Sequence, residues 1–208
     1  MSATGSSLTI YVSDPPSVHA VPGLQDAVEG AQLSFGEHQA EVRNASLRLL
    51  TGTASAPANA RAAIALNSLV AYVGEVGTGE SRQTVGILNT EDVLELSPTD
   101  TVSPGKNDFE DLSTYGRTFA SLPLDLGTAP ATLQRAVPGF RATFTRFYGH
   151  APSAQAIEGY DAMWVLLRVI AALKGHANDR TRIAKSVIAT LQTNHGRASV
   201  PNFTITLK

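Results

Sequence analysis

The segment from Gly74 to Ser81 (GEVGTGES), set between an apolar run and a stretch of helical character, is where this chain could hold an anion. A glycine-rich turn between a strand and a helix can aim several backbone N–H groups at one negative group, and the helix N-terminus adds partial positive charge. No Lys follows the last glycine and the GxGxxG frame is missing, so this is neither a Walker loop nor a dinucleotide fingerprint. A tight βα turn whose glycines serve only the backbone is the plain alternative.

Other reactive residue types lack the spacing that catalysis needs. Ser81 has no GxSxG elbow around it, and nothing marks a His or Asp as its partner. His19, His38, His150, His176 and His195 stand apart, without the i, i+4 histidine spacing that a zinc site would need, so no metal site is expected. Glu91-Asp92 and Glu110-Asp111 read as solvated loop or helix-start pairs. Asp100 differs, because it follows a strand end between Thr99 and Thr101, where open α/β sheets bind ligands. Capping the next helix is its competing role. With no catalytic constellation and no cofactor motif, the chain is expected to be neither an enzyme nor a cofactor carrier.

These residues need elements to position them. Leu8 to Val12 (LTIYV) stops at Asp14-Pro15-Pro16 and reads as a buried strand. Pro22-Gly23 opens a helix with Leu24, Ala27, Val28, Ala31 and Phe35 on one face. A second strand falls within Ala40 to Leu50, a polar loop spans Thr51 to Pro57, and Asn59 to Ser68 is helical. Leu69 to Val73 is a strand, Arg82 to Asn89 a helix and Val93 to Leu96 a strand. This β-α-β-α-β order calls for a parallel sheet with helices on both faces. Thr99 to Lys106 and Ser121 to Pro130 are loops, Leu133 to Tyr148, Ala156 to Lys174 and Thr181 to Leu191 are helices, and Phe203 to Leu207 is a final strand.

Composition narrows the classes. With 208 residues and 43% of them hydrophobic, one sizeable α/β core is expected. A net charge of −2 and scattered Lys and Arg argue against nucleic-acid binding. No apolar run approaches the roughly 20 residues that span a bilayer. The chain has no cysteine, which excludes disulfides and thiolate chemistry. The small polar opening MSATGSS suits either a cytosolic start or a mature exported chain with a new Met.

Several motifs recur in a family order. The first strand leads into a DPPS loop, and the helix GLQDAVEGAQLSF follows it. In AYVGEVGTGESRQTVGILNTEDVLELSPTDT a G-x-x-x-[ST] turn follows one strand and a Ser-Pro-x-x-Thr turn the next. YGRTFAS comes later, then FRATFTRFYGHAPSAQAIEGYDAMWVLLRVIAAL with a Pro-Ser turn and a Gly-Tyr-Asp-Ala helix, and finally PNFTITLK. The whole resembles the type I periplasmic solute-binding proteins of the branched-chain amino-acid type, reduced to lobe one.

The resemblance implies a single Rossmann-like, flavodoxin-like lobe: a tail at 1–7, an α/β domain at 8–208 with a first segment to 120, a linker at 121–131 replacing lobe two, and returning elements from 132. It also implies a ligand carboxylate held by Gly77, Thr78 and Gly79, a polar head held by Thr99, Asp100 and Thr101, and a rim formed by Ser13 and His19. The partners it implies are a small amino-acid-like solute, bound weakly by one lobe, and an ABC permease or a sensor, in a periplasmic or extracellular setting. A protein-interaction module that has lost its ligand, dimerising through the exposed hinge face, is the second reading.

Overall fold

A computed structural model describes residues 1–100, 117–122, 139–194 and 205–208. The sheet is built from β1 (Leu8–Ser13), β2 (Leu47–Gly52), β3 (Leu69–Val73), β4 (Leu94–Ser97) and β5 (Phe119–Ser121), all parallel, in the order β2-β1-β3-β4-β5. That is the flavodoxin-like doubly wound order, whose direction of winding reverses between β1 and β3. The three-layer parallel architecture expected from the alternation of elements is the one the chain adopts.

The helices are α1 (Pro16–His19), α2 (Leu24–His38), α3 (Ala56–Ile64), α4 (Val85–Asn89), α5 (Phe140–Tyr148), α6 (Ala154–Ala172) and α7 (Arg180–Asn194). On one face of the sheet, Ile10, Val12, Val70, Leu94 and Leu96 pack with Ala27, Val28 and Ala31 of α2, Met163, Leu166 and Ile170 of α6, and Ile183 and Val187 of α7. On the other, Tyr11, Leu69 and Tyr72 meet Ala60 and Ala63 of α3 and Leu88 of α4. In β1, Ile10 and Val12 feed one layer and Tyr11 the other, as a two-residue strand period requires, whereas in β3 a register shift against Thr9 and Ile10 interrupts the alternation at Val70.

Several boundaries differ from the sequence reading, each for a local reason. Gln39–Glu41 makes one 3₁₀ turn and delays β2 to Leu47, so the strand runs on through Thr51 and Gly52. Pro57 in the first turn starts α3 at Ala56, before the expected Asn59, because proline suits that position. The helix expected at Arg82 to Asn89 is split into a 3₁₀ turn, Glu80–Gln83, and α4. Thr84 sits at the break, with its hydroxyl 3.2 Å from Ser81 O and 2.8 Å from Glu95 Oε1.

The expected final strand is not formed by its described part. Ile205 to Lys208 lie along α7, where Thr206 N–H donates to Thr190 Oγ1 (3.0 Å) and Lys208 N–H to Ser186 Oγ (3.1 Å). Side-chain hydroxyls there take the donors that a ladder would have taken. Residues 1–7, read from the sequence as a flexible tail, carry backbone hydrogen bonds from Ala3 N–H to Asn178 O (2.8 Å) and from Thr4 N–H to Asn67 O (2.9 Å). The loop read at Thr99 to Lys106 lies mostly outside the described residues, as do the linker at 121–131 from residue 123 onward and the helix from Leu133 before Gly139.

Candidate functional site

Parallel pairing brings all five strand C-termini to one edge: Ser13 opposite Gly52, Val12 opposite Val73, Val73 opposite Leu96, and Ser97 opposite Ser121. The switch between β1 and β3 opens there. Both β1 and β4 end in a buried serine, and the chain leaving β3 buries Glu75, which is 1% exposed. The peptide joining Gly74 to Glu75 is cis.

These groups form one network. Ser13 Oγ donates to Glu75 Oε2 (3.0 Å) and accepts from Asn59 Nδ2 (3.0 Å), while the Tyr72 hydroxyl donates to Glu75 Oε1. Ser97 Oγ donates to Glu75 O (2.6 Å) and accepts Asp100 N–H (2.9 Å). Asp100, 2% exposed, accepts Gly79 N–H at Oδ1 (2.6 Å) and Ser81 N–H at Oδ2 (3.0 Å). Thr99 Oγ1 accepts Gly77 N–H at 2.8 Å. Positive φ at Gly77 (109°) and Gly79 (82°) curls the turn so that these donors point inward.

The glycine turn and the Thr99-Asp100 pair, which the resemblance assigns to two ends of a ligand, are thus bonded to each other. Asp100 caps the glycine turn that precedes β4, and the helix that the sequence reading placed after it lies outside the described residues. Thr78 is exposed at the tip of the turn, and Thr101 lies outside the described residues. Ser13 belongs to the network through Glu75. His19 stands apart from it, with Nε2 2.9 Å from Asp14 Oδ1 and Nδ1 3.1 Å from Gln25 Oε1.

Glu75, Glu95, Ser97 and Asn59 escaped the sequence reading. A lone acid directly after an apolar strand, as in Val73-Gly74-Glu75, is the signal that could have flagged the first. Burial pushes the Glu75 carboxyl up to about 7, partly offset by its hydrogen bonds from Tyr72 and Ser13. Glu95, fully buried with Oε1 on the Thr84 hydroxyl, is pushed well above the carboxylate range by desolvation and then by Glu75.

For Glu75 the pH dependence follows directly. Between its ordinary value and about 7 the folded chain holds a proton that the unfolded chain releases, so stability falls as pH rises through that window. The loss is about 3 kcal/mol on the alkaline side, at about 1.4 kcal/mol per pKa unit. Melting curves from about pH 5 to 8 should show a fall that Glu75→Gln reduces; parallel profiles for wild type and variant would contradict this reading.

No family model matches the sequence, and no curated protein matches it. Solved structures do match. The fold is that of the type I periplasmic binding proteins. A leucine-binding protein from Thermotoga maritima superposes with a TM-score of 0.63 at 14% identity, covering 97% of each chain. An ABC transporter substrate-binding protein from Desulfitobacterium hafniense in complex with Leu gives 0.61 at 15%, covering 88% of each. A branched-chain amino-acid transporter substrate-binding protein from Streptococcus pneumoniae in complex with isoleucine gives 0.60 at 12%, also covering 88% of each. At these identities the likeness is one of fold. No helix among the described residues is long and apolar enough to cross a membrane.

Proposed function

We propose that the chain is a single solute-recognition lobe working outside the cytoplasm, taking an amino-acid-like solute or small carboxylate for an ABC-type permease and performing no chemistry on it. The observation that carries this reading is the polar network of Ser13, Glu75, Ser97, Thr99 and Asp100 at the β1/β3 switch point, where sheets of this winding bind ligands. Gly77, Thr78 and Gly79 would meet the carboxylate by exchanging it for the Asp100 and Thr99 oxygens that the turn now holds, Thr99, Asp100 and Thr101 would turn to the polar head, and Ser13 and His19 would form the rim.

A lone lobe leaves its ligand partly in water, whereas good pockets bury roughly 70–90% of a ligand. Binding is therefore expected to be weak, with Kd on the order of 1 mM. Calorimetry of the monomer against leucine, isoleucine, small amides and aromatic acids tests this. Submicromolar affinity in a monomer would oppose the single-lobe reading, and silence toward every solute would oppose solute recognition.

One observation favours a second reading, an interaction or sensory module that no longer binds solute: the N–H groups of Gly77, Gly79 and Ser81 already have acceptors within the chain. On that reading, light scattering would find a dimer or a partner complex, and Thr78→Ala combined with Asp100→Ala would leave that assembly intact.

A further inference from the structure

Asp26 and Glu29 lie one turn apart on α2, and His150 reaches them from the loop between α5 and α6. One donor atom from each lies within 4.8 Å of the others. His150, which looked isolated in the sequence, therefore has two carboxylates beside it in space. They stand at the end of α2 that also approaches the glycine turn, where Leu24 neighbours Gly77.

Each carboxylate has one oxygen fixed by the protein and one turned toward the histidine. Asp26 Oδ2 accepts Ser153 N–H at 2.7 Å, and Glu29 Oε1 accepts from Gln25 Nε2 at 3.0 Å. Of the inward oxygens, Asp26 Oδ1 is 4.0 Å from His150 Nδ1, and Glu29 Oε2 is 3.2 Å from His150 Nε2. Glu29 is only 8% exposed, and apart from the ion-pair contact with His150 Nε2 its buried Oε2 has no hydrogen-bond partner. This oxygen points into the three-residue cluster, where a bound cation would satisfy it, as the imidazole does only when Nε2 carries a proton.

The imidazole is set up from behind. Its Nδ1 lies 3.2 Å from Ala151 O, the backbone contact that fixes the tautomer of metal-bound histidines and leaves Nε2 with a lone pair. The 3.2 Å between Nε2 and Glu29 Oε2 is slightly shorter than the donor–donor edge of about 3.4 Å in a tetrahedron with bonds of about 2.1 Å. Phe144 packs edge-on against the imidazole at 5.5 Å, and the Tyr148 hydroxyl donates to Glu29 O (2.8 Å), which ties α5 to the same spot.

We infer that Asp26, Glu29 and His150 form a site for a divalent transition-metal ion, zinc above all, with a coordination position left open on the exposed side of His150. One imidazole and two carboxylates suit zinc and its first-row neighbours, whereas calcium and magnesium favour all-oxygen sets. The inference stands apart from solute recognition, since it uses none of the residues in the network around Glu75.

Chelator-treated full-length protein titrated with zinc chloride in a calorimeter tests it, with melting temperature as a second readout. One ion per chain and a raised melting temperature are expected with zinc, and no shift with calcium or magnesium chloride. His150→Ala and, separately, Glu29→Gln should each weaken zinc binding by about tenfold or more, while His38→Ala and His176→Ala leave it unchanged. His150 is exposed, so its alanine variant should fold as the parent does, which its melting curve without metal checks. Absence of stoichiometric zinc binding, or binding that survives both site variants, overturns the inference and leaves an ordinary imidazole–carboxylate ion pair.

Discussion

Replacing Asp100 with alanine is expected to lower stability by roughly 2–4 kcal/mol and, at the same time, to raise the affinity of the carboxyl edge for small carboxylates by about tenfold or more. The two effects share one cause. The Asp100 carboxylate sits within the curl of the glycine turn and takes the N–H groups of Gly79 and Ser81, while Thr99 takes that of Gly77. Charge-assisted bonds of this kind are about twice as strong as neutral ones, and removing the acceptor leaves buried donors without partners. Acetate or an amino-acid carboxylate could then enter the place that the side chain vacates.

In a chain of this size each kcal/mol corresponds to roughly 2–4 °C in melting temperature, so Asp100→Ala should melt about 5–15 °C below the parent. Acetate or leucine should recover part of that loss in the variant and act weakly on the wild type. If leucine instead bound the wild type and the variant lost it, Asp100 would be a ligand contact rather than a resident stand-in for one. Solute recognition would survive that outcome, and only the self-occupied turn would be abandoned.

The second large effect is expected where α2 crosses α6. A β-carbon built on Gly30 would lie 1.9 Å from Ala156 O, and one on Gly159 1.8 Å from Ala27 O. Each glycine faces the other helix's backbone, so no side chain can rotate away to make room. Overpacking a core typically costs about 1–3 kcal/mol and sometimes more, and a collision between two backbones belongs at the upper end. Gly159→Ala should therefore lower the melting temperature by about 10 °C. Gly36, exposed on α2 with nothing within 4 Å of an added β-carbon, is the control. There alanine should stabilise by about 0.4–1 kcal/mol. Equal effects at the two sites would mean that the helices have room to separate.

How far these features were legible in the sequence depended on how local their cause is. β3 falls at Leu69–Val73, where the apolar run put it, because a continuous buried strand writes itself into five adjacent residues. The lower face of α2 was equally plain in Ala27, Val28, Ala31 and Phe35. The start of β2 was not, because the irregular apolar spacing between Ala40 and Leu50 conceals a 3₁₀ turn. At the candidate site, Thr99 and Asp100 could be placed beside the glycine turn by strand order alone. That they bond to the turn depends on register between β3 and β4, which no local pattern encodes. The partners of His150 are on a helix more than a hundred residues earlier, so its apparent isolation was a property of the chain and not of the molecule.

The glycine-to-backbone crossing also shapes the order of assembly. Gly30 lies on one of the first helices and Gly159 on one of the last, so this close backbone contact joins distant parts of the chain. Folding must close a long loop before that contact forms, the situation that slows folding and prolongs exposure of apolar surface. Until α6 arrives, Ile10, Val12 and Val70 lack Met163, Leu166 and Ile170, which share their core cluster. A ribosome-bound chain halted before Ala154 should therefore be open to proteolysis and prone to association. Supplying α6 as a separate peptide is the direct way to ask whether the half-built sheet waits for it.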